Sequence, residues 1–192
     1  MIEAETMEYG YIFDFDGVLA NTMESHFACY QKALAEIGVP IVKEQFYSQA
    51  GMTALEQIRY FCGCAGIEAD YQAVYQRKRE LFADYLYQAQ PIRCNIELLA
   101  ALRQQGAKVA IATGSSLRSV LPVMKMLGIE VDALATAEDV TRGKPNPDLF
   151  LAAAGKLQLD VDKCIVIEDS DAGIEAAKAA SMRAMRFYDR KL

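Results

Sequence analysis

Four short clusters of polar residues in this 192-residue chain bring together carboxylates, hydroxyls, one lysine and glycine. Asp14-Phe15-Asp16-Gly17 ends an apolar, aromatic run, and Thr113-Gly114-Ser115-Ser116 ends a second. Gly143-Lys144-Pro145 follows a third, and Glu168-Asp169-Ser170-Asp171 ends a fourth. Carboxylates are hard oxygen ligands that suit Mg²⁺, and a lysine with hydroxyl donors suits phosphate oxygens. Taken singly, each cluster has a structural reading. An Asp turn, a strand-to-helix loop, a solvated lysine before a proline turn and an acidic first helical turn all look like this. A calcium loop is another reading of the first cluster, but its further oxygen ligands and closing Glu are missing. All four in this order, each beyond an apolar run, point to a divalent cation beside a phosphoryl group.

Such clusters need strands to position them. The runs at residues 9–15 (YGYIFDF), 108–112 (KVAIA), 131–135 (VDALA), 164–167 (CIVI) and, more weakly, 183–187 (RAMRF) are too short for helices. Several are nearly continuous in apolar residues, as in strands covered on both faces. Helical patterns lie between them. Ile96, Leu98, Leu99 and Leu102 precede Gly106, and Leu117, Val120, Leu121, Met124 and Leu127 precede Gly128. Residues 147–157 and 171–180 complete the set. Strands alternating with helices give a parallel α/β sheet, whose ligands sit beyond the carboxyl ends of the strands. Residues 22–90 break this rhythm, with helices expected at about 23–37, 43–49, 53–63 and 68–89 and no strand. The expected architecture is a Rossmann-like parallel sheet core, residues 1–21 and 91–192, with a small all-helical cap, residues 22–90, inserted after the first strand. The linkers fall near 20–24 and 88–93.

Composition narrows the partners. Twenty Lys and Arg against 26 Asp and Glu give a net charge of −6, which argues against nucleic-acid binding. The apolar stretches, such as residues 149–154, are too short to span a bilayer. The N-terminal MIEAETMEYG has no apolar core of a leader. Cys29, Cys62, Cys64, Cys94 and Cys164, an odd and scattered set, read as free thiols in a reducing compartment, and the expected location is cytoplasmic. Cys62-Gly63-Cys64 lacks partners for zinc, since His26 is the one histidine. The expected assembly is a monomer or weak homodimer. Residues 183–187, as a sheet edge, are the candidate for pairing with another chain.

The four clusters together resemble the motifs of the haloacid dehalogenase-like superfamily, in the branch with a helical cap after the first motif. The matching segments are FDFDGVLANT (13–22), IATGSS (111–116), GKPNPD (143–148) and VIEDSDAG (166–173). The resemblance implies Asp14 as nucleophile and Asp16 as general acid and base. It implies Thr113, the Gly114 amide and Lys144 as holders of phosphoryl oxygens, and Gly17, Thr22, His26 and Ser115 as substrate-binding residues. It further implies Mg²⁺ as cofactor, held by Asp14, the Asp16 carbonyl and Asp169, with Glu168 as a further ligand. Dehalogenases of the superfamily lack the second Asp, so Asp16 favours phosphoryl transfer. Asn21 departs from the pattern, which usually has Asp there.

His26-Phe27 and Lys32-Ala33-Leu34 resemble the first cap helix of the β-phosphoglucomutase branch. His26 is then either a polar residue facing the cleft and assisting Asp16 or a helix-surface histidine. The mutase cap grips a remote phosphate with a basic pair after a glycine-containing loop. Here that loop, residues 49–55 (QAGMTAL), has no base. Arg77, Lys78 and Arg79 lie on a later cap helix, where Lys78 either approaches the substrate or joins a solvated face. The reading is a Mg²⁺-dependent phosphatase acting on a small phosphorylated metabolite, a sugar phosphate by resemblance. A phosphomutase and a noncatalytic domain that binds a phosphorylated ligand or a partner are the alternatives.

Overall fold

The computed structural model describes residues 9–49, 52–85 and 89–187, except the side chains of 83 and 84. In chain order the strands are β1 (Gly10–Phe13), β2 (Ala20–Asn21), β3 (Gln90–Pro91), β4 (Lys108–Ala112), β5 (Ala133–Ala135), β6 (Cys164–Glu168) and β7 (Arg183–Arg186). The helices are α1 (Met23–Ala35), α2 (Lys43–Ser48), α3 (Ala54–Ala65), α4 (Tyr71–Tyr85), α5 (Arg93–Gln104), α6 (Leu117–Leu127), α7 (Asp148–Leu157) and α8 (Asp171–Ala179). Residues 86–88, the end of the helix expected over 68–89, lie outside the described residues, as do Ala50 and Gly51 of the cap loop.

Five strands pair in parallel in the order β5-β4-β1-β6-β7. The alternation within β1 shows why its sequence makes a central strand. Ile12 faces Leu149, Phe150 and Ala153 of α7, whereas Phe13 faces the opposite layer with Leu99, Val120 and Val123 of α5 and α6. Both side chains are fully buried, so an apolar residue is needed at each step. After β1 the sheet grows one way through β4 and β5, then the other way through β6 and β7. The carboxyl end of β1 is therefore the switch point, where a crevice opens. The helical cap follows β1, and α1–α4 bury their own apolar cluster around Leu34, Phe46, Ile58, Phe61 and Phe82.

The chain enters and leaves these helices through a feature that the sequence reading missed. Both expected linkers contribute to a two-stranded antiparallel ribbon, with Ala20 opposite Pro91 and Asn21 opposite Gln90. Strands of two residues carry no periodicity to read. β7 lies at the sheet edge, with Arg183, Ala184 and Met185 exposed. Among the described residues no helix is long and apolar enough to cross a membrane.

Candidate active site

Three loops at the carboxyl ends of β1, β4 and β6 meet the turn that carries Lys144. Asp14 follows β1 directly, and its backbone N–H is held by the Ile167 carbonyl at 2.9 Å. The chain then turns at Gly17, whose φ of +90° favours glycine. A side chain there would also collide with Asp169, since a Cβ would stand 2.3 Å from Oδ2. Gly17 thus lets the first loop pack against the fourth.

Lys144 lies at the centre of the acidic residues. Its Nζ donates to Asp14 Oδ1 at 2.6 Å and to Glu168 Oε2 at 2.8 Å, and the residue is 1% exposed. The other oxygen of Glu168 accepts from the Ser170 N–H at 3.1 Å and from Ser170 Oγ at 2.5 Å. Ser170 in turn caps α8 by accepting from the Gly173 N–H. Glu168 is therefore committed on both sides, a buried carboxylate that orients the lysine.

Asp14, Glu168 and Asp169 each bring an oxygen within 4.8 Å of the others. Three carboxylates around one ammonium leave surplus negative charge in a poorly solvated place. Burial, reinforced by Glu168, raises Asp14 well above the usual carboxylate range against the pull of Lys144. Burial and Glu168 likewise lift Asp169 to about 6. Lys144 moves the other way from the burial penalty, because Asp14 and Glu168 hold it charged and raise its pKa. An all-oxygen set with charge to neutralise fits a hard divalent cation such as Mg²⁺.

Asp16 has a different environment. Thr22 Oγ1 donates to Oδ1; Ser115 Oγ and Thr113 Oγ1 donate to Oδ2 at 2.6 and 3.2 Å. His26 Nε2 stands 3.3 Å from Oδ1. Burial alone would raise Asp16, but the His26 imidazole and the hydroxyl donors hold it well below the usual carboxylate range. The pKa values of two aspartates two residues apart are thereby shifted in opposite directions, one up and one down.

His26 sits on α1, stacked on Phe82 at 4.3 Å, and its Nδ1 is 2.9 Å from Lys78 Nζ. Burial and the Lys78 charge lower its pKa. The network then assigns the proton to Nε2, facing Asp16, with Nδ1 accepting from Lys78. Lys78 is 4% exposed, lies over the rings of Tyr30 and Phe82, and is lowered to about 8 by burial. Of the basic run only Lys78 turns inward. Arg77 pairs with Glu36 at the surface, and Arg79 stacks on Tyr75. The signal was available, because Lys78 falls on the apolar stripe of α4 with Val74, Leu81 and Phe82.

A cleft of about 600 Å³, counted with its opening to solvent, lies between these loops and the cap. Asp14, Asp16, Gly114, Ser115 and Asp169 line it from below, and His26, Tyr30, Met52, Ala54, Gln57, Tyr75 and Lys78 from the cap side. The structure thus gathers Asp14, Asp16, Gly17, Thr22, His26, Thr113, Gly114, Ser115, Lys144, Glu168 and Asp169 around one cleft. Thr113 is engaged with Asp16 and with the Ser115 N–H.

A parallel sheet with a helical insertion after its first strand, and carboxylates and a buried lysine at its switch point, defines a Rossmann-like α/β core with a helical cap. The chain belongs to the haloacid dehalogenase-like hydrolase family, whose sequence profile matches residues 11–187. It is 31% identical over 184 residues to β-phosphoglucomutase of Bacillus subtilis, covering 91% of this chain and 80% of that one. It is 28% identical over 177 residues to a phosphorylated carbohydrates phosphatase of Thermotoga maritima, covering 89% and 81%. The crystal structure of a hydrolase from Pseudomonas syringae superposes with a TM-score of 0.87 at 25% identity, over 95% of this chain and 88% of that one.

Proposed function

We propose that this protein is a Mg²⁺-dependent phosphatase that hydrolyses a small phosphomonoester, a sugar phosphate, through an aspartyl-phosphate on Asp14. One observation carries the reading: a buried lysine on one oxygen of Asp14, with a second aspartate two residues later hydrogen-bonded by hydroxyls beside a histidine. Residues 1–21 and 91–192 serve as the core, and residues 22–90 as the cap that shields the cleft. The two named relatives, a phosphatase and a mutase of phosphorylated carbohydrates, support the substrate class.

Asp14 attacks the phosphorus with the oxygen that Lys144 leaves free, Oδ2. The Asp14–phosphorus bond forms as the ester P–O bond breaks, and Asp16, carrying the proton it took from water at the end of the preceding turnover, delivers it to the leaving oxygen. Water then attacks the phosphorus of the aspartyl-phosphate. Asp16, ionised again, takes the proton, and Asp14 leaves as carboxylate with inorganic phosphate as product. Lys144 stays charged throughout and spreads the charge at the reacting oxygens. The Gly114 amide offers a donor to the phosphoryl group, and the hydroxyls of Thr113 and Ser115, which donate to Asp16 here, would serve it by turning from that carboxylate. Asp14, Asp169 and the Asp16 carbonyl would hold Mg²⁺, next to Glu168, and the ion supplies charge neutralisation at the phosphoryl oxygens. His26, through its Nε2–H, keeps Asp16 aimed and ionised between steps.

The mutase reading has the Bacillus relative in its favour. Against it stand Met52, Ala54 and Gln57, which supply no cation where a remote phosphate would need one. Lys78, the cation among the described lining residues, is already committed to His26. A reducing, cytoplasmic setting and a monomer or weak homodimer fit the five free thiols and the acidic surface. The test is phosphate release from an aryl phosphate and from a panel of phosphorylated metabolites, with and without Mg²⁺. Release that needs Mg²⁺ and favours sugar phosphates supports the reading. No release from any of them contradicts it.

A further inference from the structure

The turn that carries Lys144 is fastened to the cap by a residue with no assigned part in the chemistry. Glu56, in the first turn of α3, accepts from the Thr53 N–H at 2.8 Å and from Thr53 Oγ1 at 2.7 Å, which caps the helix. The same carboxylate also bonds to the core. It accepts from the Gly143 N–H at 3.1 Å through Oε1 and at 3.2 Å through Oε2. Gly143 is the residue before Lys144, and it is buried. Its carbonyl is also held, by the Asn146 N–H and by Asn146 Nδ2, each at 3.0 Å. Both polar groups of Gly143 are thus pinned, one within the turn and one by the cap.

The glycine itself points to the same contact. Gly143 does not have a positive φ, so its φ does not itself call for glycine. What excludes a side chain is the cap. A Cβ at 143 would lie 2.6 Å from Glu56 Oε2 and 2.6 Å from the Thr53 backbone nitrogen. The seat exists only while α3 is docked on the Lys144 turn. Met52, Ala54 and Gln57, the cleft-lining residues around this helix start, dock with it.

We propose that Glu56 is a positioning residue: by bonding the Gly143 N–H with the carboxylate that caps α3, it registers the cap on the core and sets Lys144 against Asp14. It rests on residues 22–90 acting as a cap over a phosphoryl-transfer site. A carboxylate accepting a buried amide is a strong hydrogen bond, and its loss frees the turn on one side. Docking of the cap and placement of the lysine are then a single event.

Two substitutions test this from opposite sides. Glu56→Gln keeps an acceptor suited to the helix cap but leaves one oxygen for three donors. Gly143→Ala keeps Glu56 and fills its seat with a methyl. Amide hydrogen exchange by NMR and hydrolysis of para-nitrophenyl phosphate are measured for both. The N–H of residue 143 is expected to exchange about tenfold faster in each variant while the α3 amides keep their protection, and kcat is expected to fall about tenfold with a smaller change in KM. Unaltered exchange at residue 143 in both variants overturns the proposal. So does a freed amide with unaltered kcat, or a change confined to KM, which would leave Glu56 a helix cap or a wall of the substrate site. Should the wild-type protein hydrolyse no phosphomonoester, the phosphatase reading fails, and exchange at residue 143 still decides whether Glu56 holds the turn.

Discussion

Lys144 Nζ stands 2.6 Å from Asp14 Oδ1 across 130 residues of sequence, in a place where the lysine has almost no contact with solvent. The contact joins the turn before α7 to the end of β1. Removing either partner therefore has unequal consequences. Lys144→Met leaves Asp14 and Glu168 as buried, unbalanced carboxylates, and is expected to cost about 3–5 kcal/mol and all measurable turnover. Asp14→Asn leaves Lys144 paired with Glu168 and relieves the crowding that raises Asp14. It should abolish turnover with a melting temperature equal to or above the wild type. Denaturation curves and phosphate release on the two variants check the contrast. An Asp14→Asn protein as unstable as Lys144→Met would contradict it.

Mg²⁺ should raise the melting temperature of the protein near neutral pH, because it neutralises the carboxylates of Asp14 and Asp169, both raised by burial. Asp169→Asn should lose most of that rise. Chelator should stop hydrolysis, and Ca²⁺, which accepts longer bonds and more ligands, should not restore it. Thermal scans with added Mg²⁺ and activity in excess chelator are the measurements. Full activity without divalent cation is the contrary result.

Lys78 gives a pH signature. Burial lowers its pKa from 10.5 to about 8 in the folded protein. Between those values the unfolded chain binds a proton that the folded chain does not. The Lys78 contribution to stability therefore rises with pH from about 8 to about 10.5 and is unfavourable below. Lys78→Met removes this slope. The melting-temperature difference between variant and wild type, followed from pH 7 to 10.5, should shift in favour of the wild type as pH rises. A pH-independent difference would mean that Lys78 titrates as an exposed lysine.

His26→Ala should lower kcat by up to about a hundredfold by releasing Asp16 from one of its donors. It also leaves the Lys78 ammonium without its Nδ1 acceptor. Lys78→Met in the same background should restore stability but not rate. Additive losses of rate in the double variant would show that the two residues do not act through one chain of contacts.

The carboxylate-bearing loops were legible because each sits where an apolar strand ends, and Asp14, Asp16, Thr113 and Asp169 could be placed from period and order alone. What could not be read was the partner across space. Thr22, Thr113 and Ser115 come from two separate loops to one carboxylate, and sequence separation hides such contacts. Thr53 and Glu56 carry a readable helix-start pattern, yet nothing local tells that Gly143 completes it. Lys78 was obscured by its neighbours. Arg77 and Arg79 make the segment look like a solvated face, although the apolar stripe of α4 runs through the lysine between them.

The cap should make the protein a hydrolase. A mutase must turn a bisphosphorylated intermediate and hold its remote phosphate with a cationic fork. Ala54 and Met52 line the cap side of the cleft and carry no charge. Hexose monophosphates should release phosphate, with little interconversion of the 1- and 6-phosphates even when a bisphosphate primer is added. Primer-dependent isomerisation faster than phosphate release would replace the hydrolase reading with the mutase one.

Covalent chemistry at Asp14 is the central claim, and trapping the phosphoenzyme tests it most directly. The protein is mixed with substrate and Mg²⁺, quenched in acid during turnover, and treated with borohydride, which reduces an acyl phosphate of aspartate to homoserine. Mass analysis of the peptide that contains residues 13–22 should find homoserine at position 14 and aspartate at position 16. Turnover with unmodified Asp14, or with the modification at another carboxylate, would contradict the account.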